Sequence, residues 1–171
     1  MKKGFTLLEI LITVGIAGVM GILITQVFFT TARTNSKTEI LKDVKQNGEY
    51  ALGIMERMIR NSLQVSSACG ALGSTLSEID ILNPNGDTTT FACLVDGSVT
   101  RIASTSGTGA TQFLTSSNVT IGNDPCTFVC TASVDRGSEV TISFSLSQAG
   151  SSLEAFETAS VFFQTTASSR N

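Results

Sequence analysis

Apolar residues are concentrated in one long run near the beginning of the chain. Between residues 5 and 29 the only charged side chain is that of Glu9, and most other positions are Leu, Ile, Val, Phe, Met, Gly or Ala. An α-helix needs about 20 mainly apolar residues to cross a hydrocarbon core about 30 Å thick. The pattern therefore predicts a membrane-spanning helix over residues 5–29.

The next segment, residues 30–64, is more polar and has the period of a helix that is buried on one side. Apolar or small residues recur at steps of three and four, which places them on one helical face: Leu41, Val44, Gly48, Ala51, Met55 and Met58. We expect this face to be core. Residues 5 to about 64 are then one continuous helix with an amphipathic second half.

Past the helix the composition changes to Ser, Thr and Gly with short apolar alternations, which is typical of strands and turns. Segments 77–82 and 89–95 flank Asn83-Pro84-Asn85-Gly86-Asp87, a run of turn-forming residues. Asp96-Gly97 then makes a short connection into residues 98–102. These three strands are predicted to form an antiparallel meander.

The clearest strand covers residues 139–147, where Val140, Ile142, Phe144 and Leu146 share one face and hydroxyl residues share the other. Further core candidates are Val119, Ile121, Phe128, Val161 and Phe163, and residues 104–110 are expected to form a flexible loop. The sequence thus predicts an α+β fold. In this fold the long helix packs on an antiparallel β-sheet head formed by residues 65–171.

Glu9 is the most unusual residue of the apolar run, because a charge inside a membrane costs about 2.5 to 3.5 kcal/mol on insertion scales. Such a residue usually has a partner, so Glu9 predicts a nearby cation. The alternative is that Glu9 lies beside the lipid headgroups, since residue 9 is near one end of the span. Both interpretations require the same membrane helix.

A secretory signal peptide also begins with Lys and continues with an apolar core that ends at a small-residue cleavage site. Thr31-Ala32 offers such a site. However, an ordinary signal core is shorter than this run and seldom carries a carboxylate near its start. A retained membrane helix is therefore the favoured interpretation.

The first residues, Lys2-Lys3-Gly4-Phe5-Thr6-Leu7-Leu8-Glu9, combine a basic leader, a Gly, an aromatic residue and a Glu before an apolar stretch. In this combination the chain resembles the prepilin family, which comprises type IV pilins and type II secretion pseudopilins. The resemblance implies that a membrane peptidase cuts between Gly4 and Phe5, removes residues 1–4 as a leader, and methylates the new terminal amine of Phe5. It also implies that Glu9 meets the terminal ammonium of a neighbouring subunit in a filament, since methylation keeps an amine charged.

The same resemblance implies a set of partners and a location. The partners are copies of the chain or other pilins in a helical filament, the prepilin peptidase and an inner-membrane assembly platform. The precursor is expected to span the inner membrane once with its head outside the cytoplasm, and then to join an extracellular pilus or a periplasmic pseudopilus. The alternative from another class is a membrane-tethered exported binding module or enzyme whose anchor only resembles a prepilin.

Two further segments bear on the subfamily. Residues 51–60, Ala-Leu-Gly-Ile-Met-Glu-Arg-Met-Ile-Arg, resemble the helical segment of J-type minor pseudopilins and PilW-like minor pilins, or are simply an amphipathic helix with solvated arginines. Many type IV pilins have a proline in the first half of the stalk, whereas here Gln26 stands in that region. Gly15, Gly18 and Gly21 supply flexibility instead, or let helices approach closely.

Composition agrees with a small exported protein. The 171 residues are 42% hydrophobic and 15% charged, which is enough material for one domain and an anchor. The net charge is −3, and removal of Lys2 and Lys3 leaves 9 basic against 14 acidic residues, or −5. A chain without a basic excess lacks the electrostatic footprint of a nucleic-acid-binding protein, so no nucleic-acid partner is predicted.

Four cysteines follow the apolar run, namely Cys69, Cys93, Cys126 and Cys130. In an exported chain of this size they predict disulfides. Of the three possible pairings we favour Cys69 with Cys93 and Cys126 with Cys130, provided that the chain between the latter two forms a local loop. In a straight strand their Cα atoms would be about 13 Å apart, beyond bridging range, and the pairing would change. A four-cysteine zinc site is the alternative, which the isolation of Cys69 and Cys93 and the lack of His disfavour.

Little in the sequence indicates catalysis. The chain has no His, which excludes a His-dependent triad, a His metal ligand and an imidazole base. Asn123-Asp124 offers only a small part of the six to eight oxygens that calcium needs. The carboxylates beyond the helix are scattered along the chain: Glu78, Asp80, Asp87, Asp124, Asp135, Glu139, Glu154 and Glu157. We therefore predict no enzyme, no cofactor and no metal site.

Overall fold

The computed structural model describes residues 4–67, 69–70, 73–122, 126–133, 137–150 and 159–169. The chain divides into two compact units, Met1–Thr38 and Glu39–Asn171. Within the described residues there is one α-helix, followed by ten β-strands in antiparallel sheets. The predicted α+β class is confirmed.

Helix α1 runs from Leu7 to Asn61, close to the predicted range. Ser62, the residue after the helix, is buried and donates to the carbonyl of Ile59 from both its N–H and its hydroxyl, at 3.2 and 2.7 Å. These bonds satisfy a carbonyl that the end of a helix leaves open. The next residue, Leu63, donates to the carbonyl of Leu82 at 2.8 Å, so the chain passes directly from helix into sheet.

The first sheet has the strand order β1-β3-β4-β5-β6. Its strands are β1 (Gln64–Val65), β3 (Glu78–Leu82), β4 (Thr88–Asp96), β5 (Val99–Ser106) and β6 (Thr111–Phe113). Strands β3, β4 and β5 form the predicted meander, with Gly86 and Gly97 at positive φ in its turns. The loop expected over residues 104–110 is shorter in the structure, because β5 continues to Ser106 and pairs with β6.

The second sheet has the order β10-β9-β8-β2, with β7 also paired to β9. Its strands are β2 (Ser74–Leu76), β7 (Val119–Ile121), β8 (Thr127–Ser133), β9 (Gly137–Gln148) and β10 (Ser160–Ser168). The head thus has two five-stranded sheets where we expected one. The alternation of apolar residues reports which face of a strand is buried but does not report which strand it pairs with, so the division into two sheets was not predictable from it.

Residues 39–61 of α1 and both sheets share a single core. The helix contributes Val44, Gly48, Ala51, Met55 and Ile59. The predicted stripe is correct at its centre, whereas Leu41 is 43% exposed and Met58 is only partly buried. The predicted core positions on the strands are buried, except that Val161 is half-buried: Val119, Ile121, Phe128, Val140, Ile142, Phe144, Leu146 and Phe163.

The disulfides pair Cys69 with Cys130 and Cys93 with Cys126, at Cα–Cα distances of 5.0 and 6.0 Å. The favoured pairing was therefore wrong. The reason is that Cys130 lies within β8 and Cys126 comes directly before it, so the chain between them is extended rather than looped. All four sulfurs are bonded, which leaves no thiolate for a zinc site.

Each disulfide has a distinct structural position. The Cys93–Cys126 bond joins β4 of the first sheet to the start of β8 in the second, and so ties the two sheets together. The Cys69–Cys130 bond ties the segment that follows β1 to β8. Strand β8 is therefore fixed at both its beginning and its middle.

Candidate functional site

The first half of α1 carries apolar side chains on all sides. From Phe5 to Phe29 every large apolar residue is more than half exposed, between 51% at Ile12 and 82% at Leu7. A helix that is apolar all round is stable inside a protein core or inside a membrane. None of the most apolar window of this helix is buried within the described residues, and its length and composition make it a candidate membrane span.

Hydroxyl groups along this half of α1 are satisfied by the helix itself. Thr13 donates to the carbonyl of Ile10 at 2.9 Å, and Thr25 donates to the carbonyl of Gly21 at 2.8 Å. Two further threonines near the end of the apolar run bond back in the same way. Such bonds to the preceding turn hide the hydroxyls from an apolar solvent, as a bilayer requires.

Thr6 caps the beginning of α1. Its hydroxyl accepts a hydrogen bond from the N–H of Glu9 at 3.3 Å, and its carbonyl accepts from the N–H groups of Glu9 and Ile10 at 3.1 and 3.3 Å. Glu9 therefore occupies the third helical position, and Thr6-x-x-Glu9 has the spacing of a capping box. Thr6 is not among the site residues predicted above. The Thr-x-x-Glu spacing in the sequence is the signal that could have identified it as the helix cap.

The carboxylate of Glu9 is not used by the cap. In a complete capping box it would accept a hydrogen bond from the N–H of the capping residue. Within the described residues the Glu9 side chain forms neither that bond nor an ion pair. An acid in the first turn gains about 0.3 to 1 kcal/mol from the helix dipole at an exposed site, which is small beside the cost of placing a charge in a membrane. Within the described residues the carboxylate is thus left without a charged partner.

Gly4, Phe5, Thr6 and Glu9 line one open depression of about 420 Å³. Gly4 and Phe5 precede the first helical residue, and Phe5 is 78% exposed. The bond between them is therefore outside the helix, where a peptidase can reach an extended chain. The structure brings the three predicted residues Gly4, Phe5 and Glu9 together, while residues 1–3 of the predicted leader lie outside the described residues.

Gly15, Gly18 and Gly21 have no packing neighbour among the residues that the structure describes. A Cβ atom added at any of them would meet no atom within 4 Å, and α1 continues through all three. Gly18 and Gly21 contribute to an open groove of about 770 Å³ along the helix surface. Small residues in membrane helices allow a second helix to approach closely, so these positions suit helix-to-helix contact better than an internal hinge.

The head offers no comparable cluster of chemical groups. In the part of the chain that the structure describes, no three His, Cys, Asp or Glu residues lie close enough to hold a metal ion. Three carboxylates there have separate partners: Asp80 accepts from the Thr90 hydroxyl, Asp87 accepts from Asn85, and Asp96 pairs with Arg101. Other polar candidates lie outside the described residues, namely Asn123, Asp124, Asp135, Glu154 and Glu157.

No protein-family model, curated protein or solved structure matches this chain.

Proposed function

We propose that this chain is a structural subunit, a pilin or pseudopilin, of a type IV pilus or of a type II secretion pseudopilus. A prepilin peptidase removes residues 1–4 by cutting between Gly4 and Phe5, and Phe5 becomes the N-methylated first residue. Subunits then polymerise by packing their apolar helices. The chain acts as a scaffold element rather than as an enzyme, and no cofactor takes part.

The observation that supports this proposal is the position of the Gly4–Phe5 bond directly before a helix that is apolar on all sides. Lipid covers such a surface while the subunit waits in a membrane, and the helices of neighbouring subunits cover it in a filament. Both environments remove the same apolar area from water. The same apolar surface can therefore be covered by lipid in the precursor and by neighbouring helices in the polymer. A subunit that moves from the membrane into a filament needs such a surface.

Glu9 supplies the second part of the argument. Its carboxylate has no ion-pair partner among the described residues, and cleavage creates a new ammonium group at Phe5. Opposite charges attract far more strongly at low dielectric than in water, whereas a lone buried charge bears its desolvation cost without compensation. Pairing of Glu9 with the Phe5 ammonium of an adjacent copy therefore favours one axial register between subunits.

The partners and the location follow from this role. The chain meets the prepilin peptidase and an assembly platform in the inner membrane, and then copies of itself or other pilins in a filament. The precursor spans the membrane once, with its head on the side where disulfides such as Cys93–Cys126 form. The finished filament is an extracellular pilus or a periplasmic pseudopilus.

The test is the chemical identity of the mature amino terminus. The chain is purified from host membranes and from filaments sheared off the cells, and its first residue is determined by sequencing and by mass. We expect N-methyl-Phe5 in both samples. An intact Met1, or a first residue near Arg33, would contradict the proposal and favour a tethered or secreted module. The amount of the chain in the sheared fraction then separates a main subunit from a minor one.

A further inference from the structure

Strand β10 forms an edge of the second sheet. It covers nine residues, Ser160–Ser168, and pairs along its full length with β9 on one side. Among the described residues no strand pairs with its other side. At about 3.4 Å per residue this open edge is about 30 Å long.

The hydrogen-bond pattern shows which residues face the open edge. Ser169 donates to the carbonyl of Ser138, and the carbonyl of Ala159 accepts from Gln148, so the odd-numbered positions of this segment bond to β9. Successive residues of an antiparallel pair alternate between bonding to the partner and pointing away from it. The N–H and C=O groups of the even-numbered residues 160, 162, 164, 166 and 168 therefore point outward.

No hydrogen bond to these outward backbone groups occurs within the described residues. The side chains of the same residues are exposed, and Phe162 is 63% exposed. Proteins usually protect a long sheet edge with a charge, a Pro or a bulge. β10 has no charged residue, no Pro and no Gly, whereas the other edge strands of the described sheets, β1, β2, β6 and β7, are only two or three residues long.

We infer that β10 is a pairing site for the β10 strand of a second copy of this chain, joined antiparallel about Gln164. In this register Gln164 faces Gln164 of the other copy, Phe162 faces Thr166, and Ser160 faces Ser168. It pairs all the outward groups of both strands, giving about ten backbone hydrogen bonds, and any shifted register leaves some of them unpaired. No like charges meet across the strands, and an aromatic residue meets a β-branched one, which is a favourable cross-strand pair.

This second copy is the occupant that the edge fits best. Among the described edge strands β10 is the longest. Only the β10 of a second copy therefore offers a free edge as long as this one. The two-fold axis of such a pair is perpendicular to the sheet and makes the two copies antiparallel. The two copies are then related differently from neighbours that pack their helices in one filament, so the contact joins copies that are not such neighbours.

The test uses the purified full chain in detergent, where copies are free to take opposite directions. Gln164→Cys puts a thiol at the two-fold axis, where directly opposed Cα atoms are about 5.5 Å apart and within bridging range. Mild oxidation is expected to convert most of this variant to a covalent dimer. The control is Thr75→Cys, which is exposed on β2 at the far edge of the same sheet. In the paired dimer two such residues are about 34 Å apart, so no dimer is expected.

A second pair of variants separates this contact from association through the apolar helices. Gln164→Lys places like charges opposite each other and is expected to raise the dimer dissociation constant about fivefold relative to Gln164→Ala. Helix-driven association would respond equally to both substitutions. The inference is overturned if the thiol at 164 gives no more dimer than the thiol at 75, or if the Lys and Ala variants dissociate equally.

Discussion

Gly48 of α1 lies directly beneath the ring of Phe163 on β10: a Cβ atom at position 48 would overlap that ring. Phe163 in turn stacks on Phe144, with ring centroids 5.4 Å apart. The helix approaches the second sheet this closely because position 48 has no side chain. The small residue in the predicted stripe is therefore a packing requirement and not a neutral member of an apolar face.

Gly48→Ala is expected to destabilise the head, although Ala is a better helix former than Gly. An inserted carbon in a packed core costs about 1 to 3 kcal/mol, which exceeds the gain of up to about 1 kcal/mol in helix propensity. The free energy of unfolding in denaturant measures the difference. The matched control is Gly53→Ala, because position 53 is exposed on the same helix and its added Cβ would meet no atom within 4 Å. This control is expected to be neutral or stabilising, and an equal effect at both positions would contradict the packing role of Gly48.

The disulfide pairing predicts how many thiols remain free when cysteines are removed two at a time. Joint replacement of Cys93 and Cys126 by Ser removes one whole bond and is expected to leave no free thiol. Joint replacement of Cys69 and Cys93 breaks both bonds and is expected to leave two, because Cys126 and Cys130 cannot bridge along an extended segment. Thiol titration of the unfolded chain counts them.

The same variants predict a loss of stability. The Cys93–Cys126 bond encloses a sequence separation of 33 and the Cys69–Cys130 bond one of 61. In the chain-entropy description, loops of this length contribute about 3 to 4 kcal/mol each. Loss of either bond should therefore lower the free energy of unfolding by about that amount. If the chain without Cys69 and Cys93 had no free thiols, the pairing would be refuted.

Arg101 is expected to be the most sensitive cation of the described head. Its guanidinium donates twice to the carbonyl of Thr115, pairs with Asp96 at 2.6 Å and lies 4.1 Å from the ring centroid of Phe113. Arg101→Lys keeps the charge but loses the fork that reaches Thr115, so it should lower the free energy of unfolding by about 1 to 3 kcal/mol.

Two comparisons test the cause of that loss. Arg57→Lys on the exposed face of α1 should change the stability by less than about 0.5 kcal/mol. Asp96→Asn should cost less than Arg101→Lys, because the Asp96 side chain is 42% exposed and such an ion pair contributes about 1 kcal/mol at most. A larger loss at Asp96 than at Arg101 would show that the ion pair, and not the bonds to Thr115, holds this arginine.

These residues also show what the sequence can and cannot predict about the fold. The period of apolar residues was sufficient for α1 and for the buried face of β9, because both depend on local spacing. The pairing of Cys69 with Cys130 joins residues 61 positions apart, which no local pattern encodes. The division of the strands into two sheets likewise depends on which strands pair, and the local pattern does not report this. The contact of Gly48 with Phe163 joins residues more than 100 positions apart and was not predictable for the same reason.

The residues of the candidate site at the start of the chain, by contrast, are close together in sequence. Gly4, Phe5 and Glu9 were predicted as a group because they lie within one short sequence motif. The role of Thr6 as the helix cap was not predicted, although it too is local, because the Thr-x-x-Glu spacing coincides with the residues of the prepilin-like motif. Under the function proposed above, Glu9 makes two separable contributions: its charge lies in the first turn of α1, and its carboxylate pairs with the adjacent subunit during assembly.

The last prediction separates these contributions. Glu9→Ala is expected to leave membrane insertion intact but to block incorporation into filaments, because the Phe5 ammonium of the adjacent copy loses its partner. Thr6→Ala removes the cap hydroxyl, which costs about 1 kcal/mol of helix stability, yet it leaves the carboxylate in place. Chain content is measured by immunoblot in membranes and in sheared filaments. If the Glu9 carboxylate acted only through its charge in the first turn of α1, both variants would lose only helix stability and would assemble equally well. If the carboxylate pairs between subunits, only the Thr6 variant should be recovered in filaments. Normal amounts of the Glu9→Ala chain in fibres would refute the register role, since no other charge lies within the apolar half of α1 to replace it.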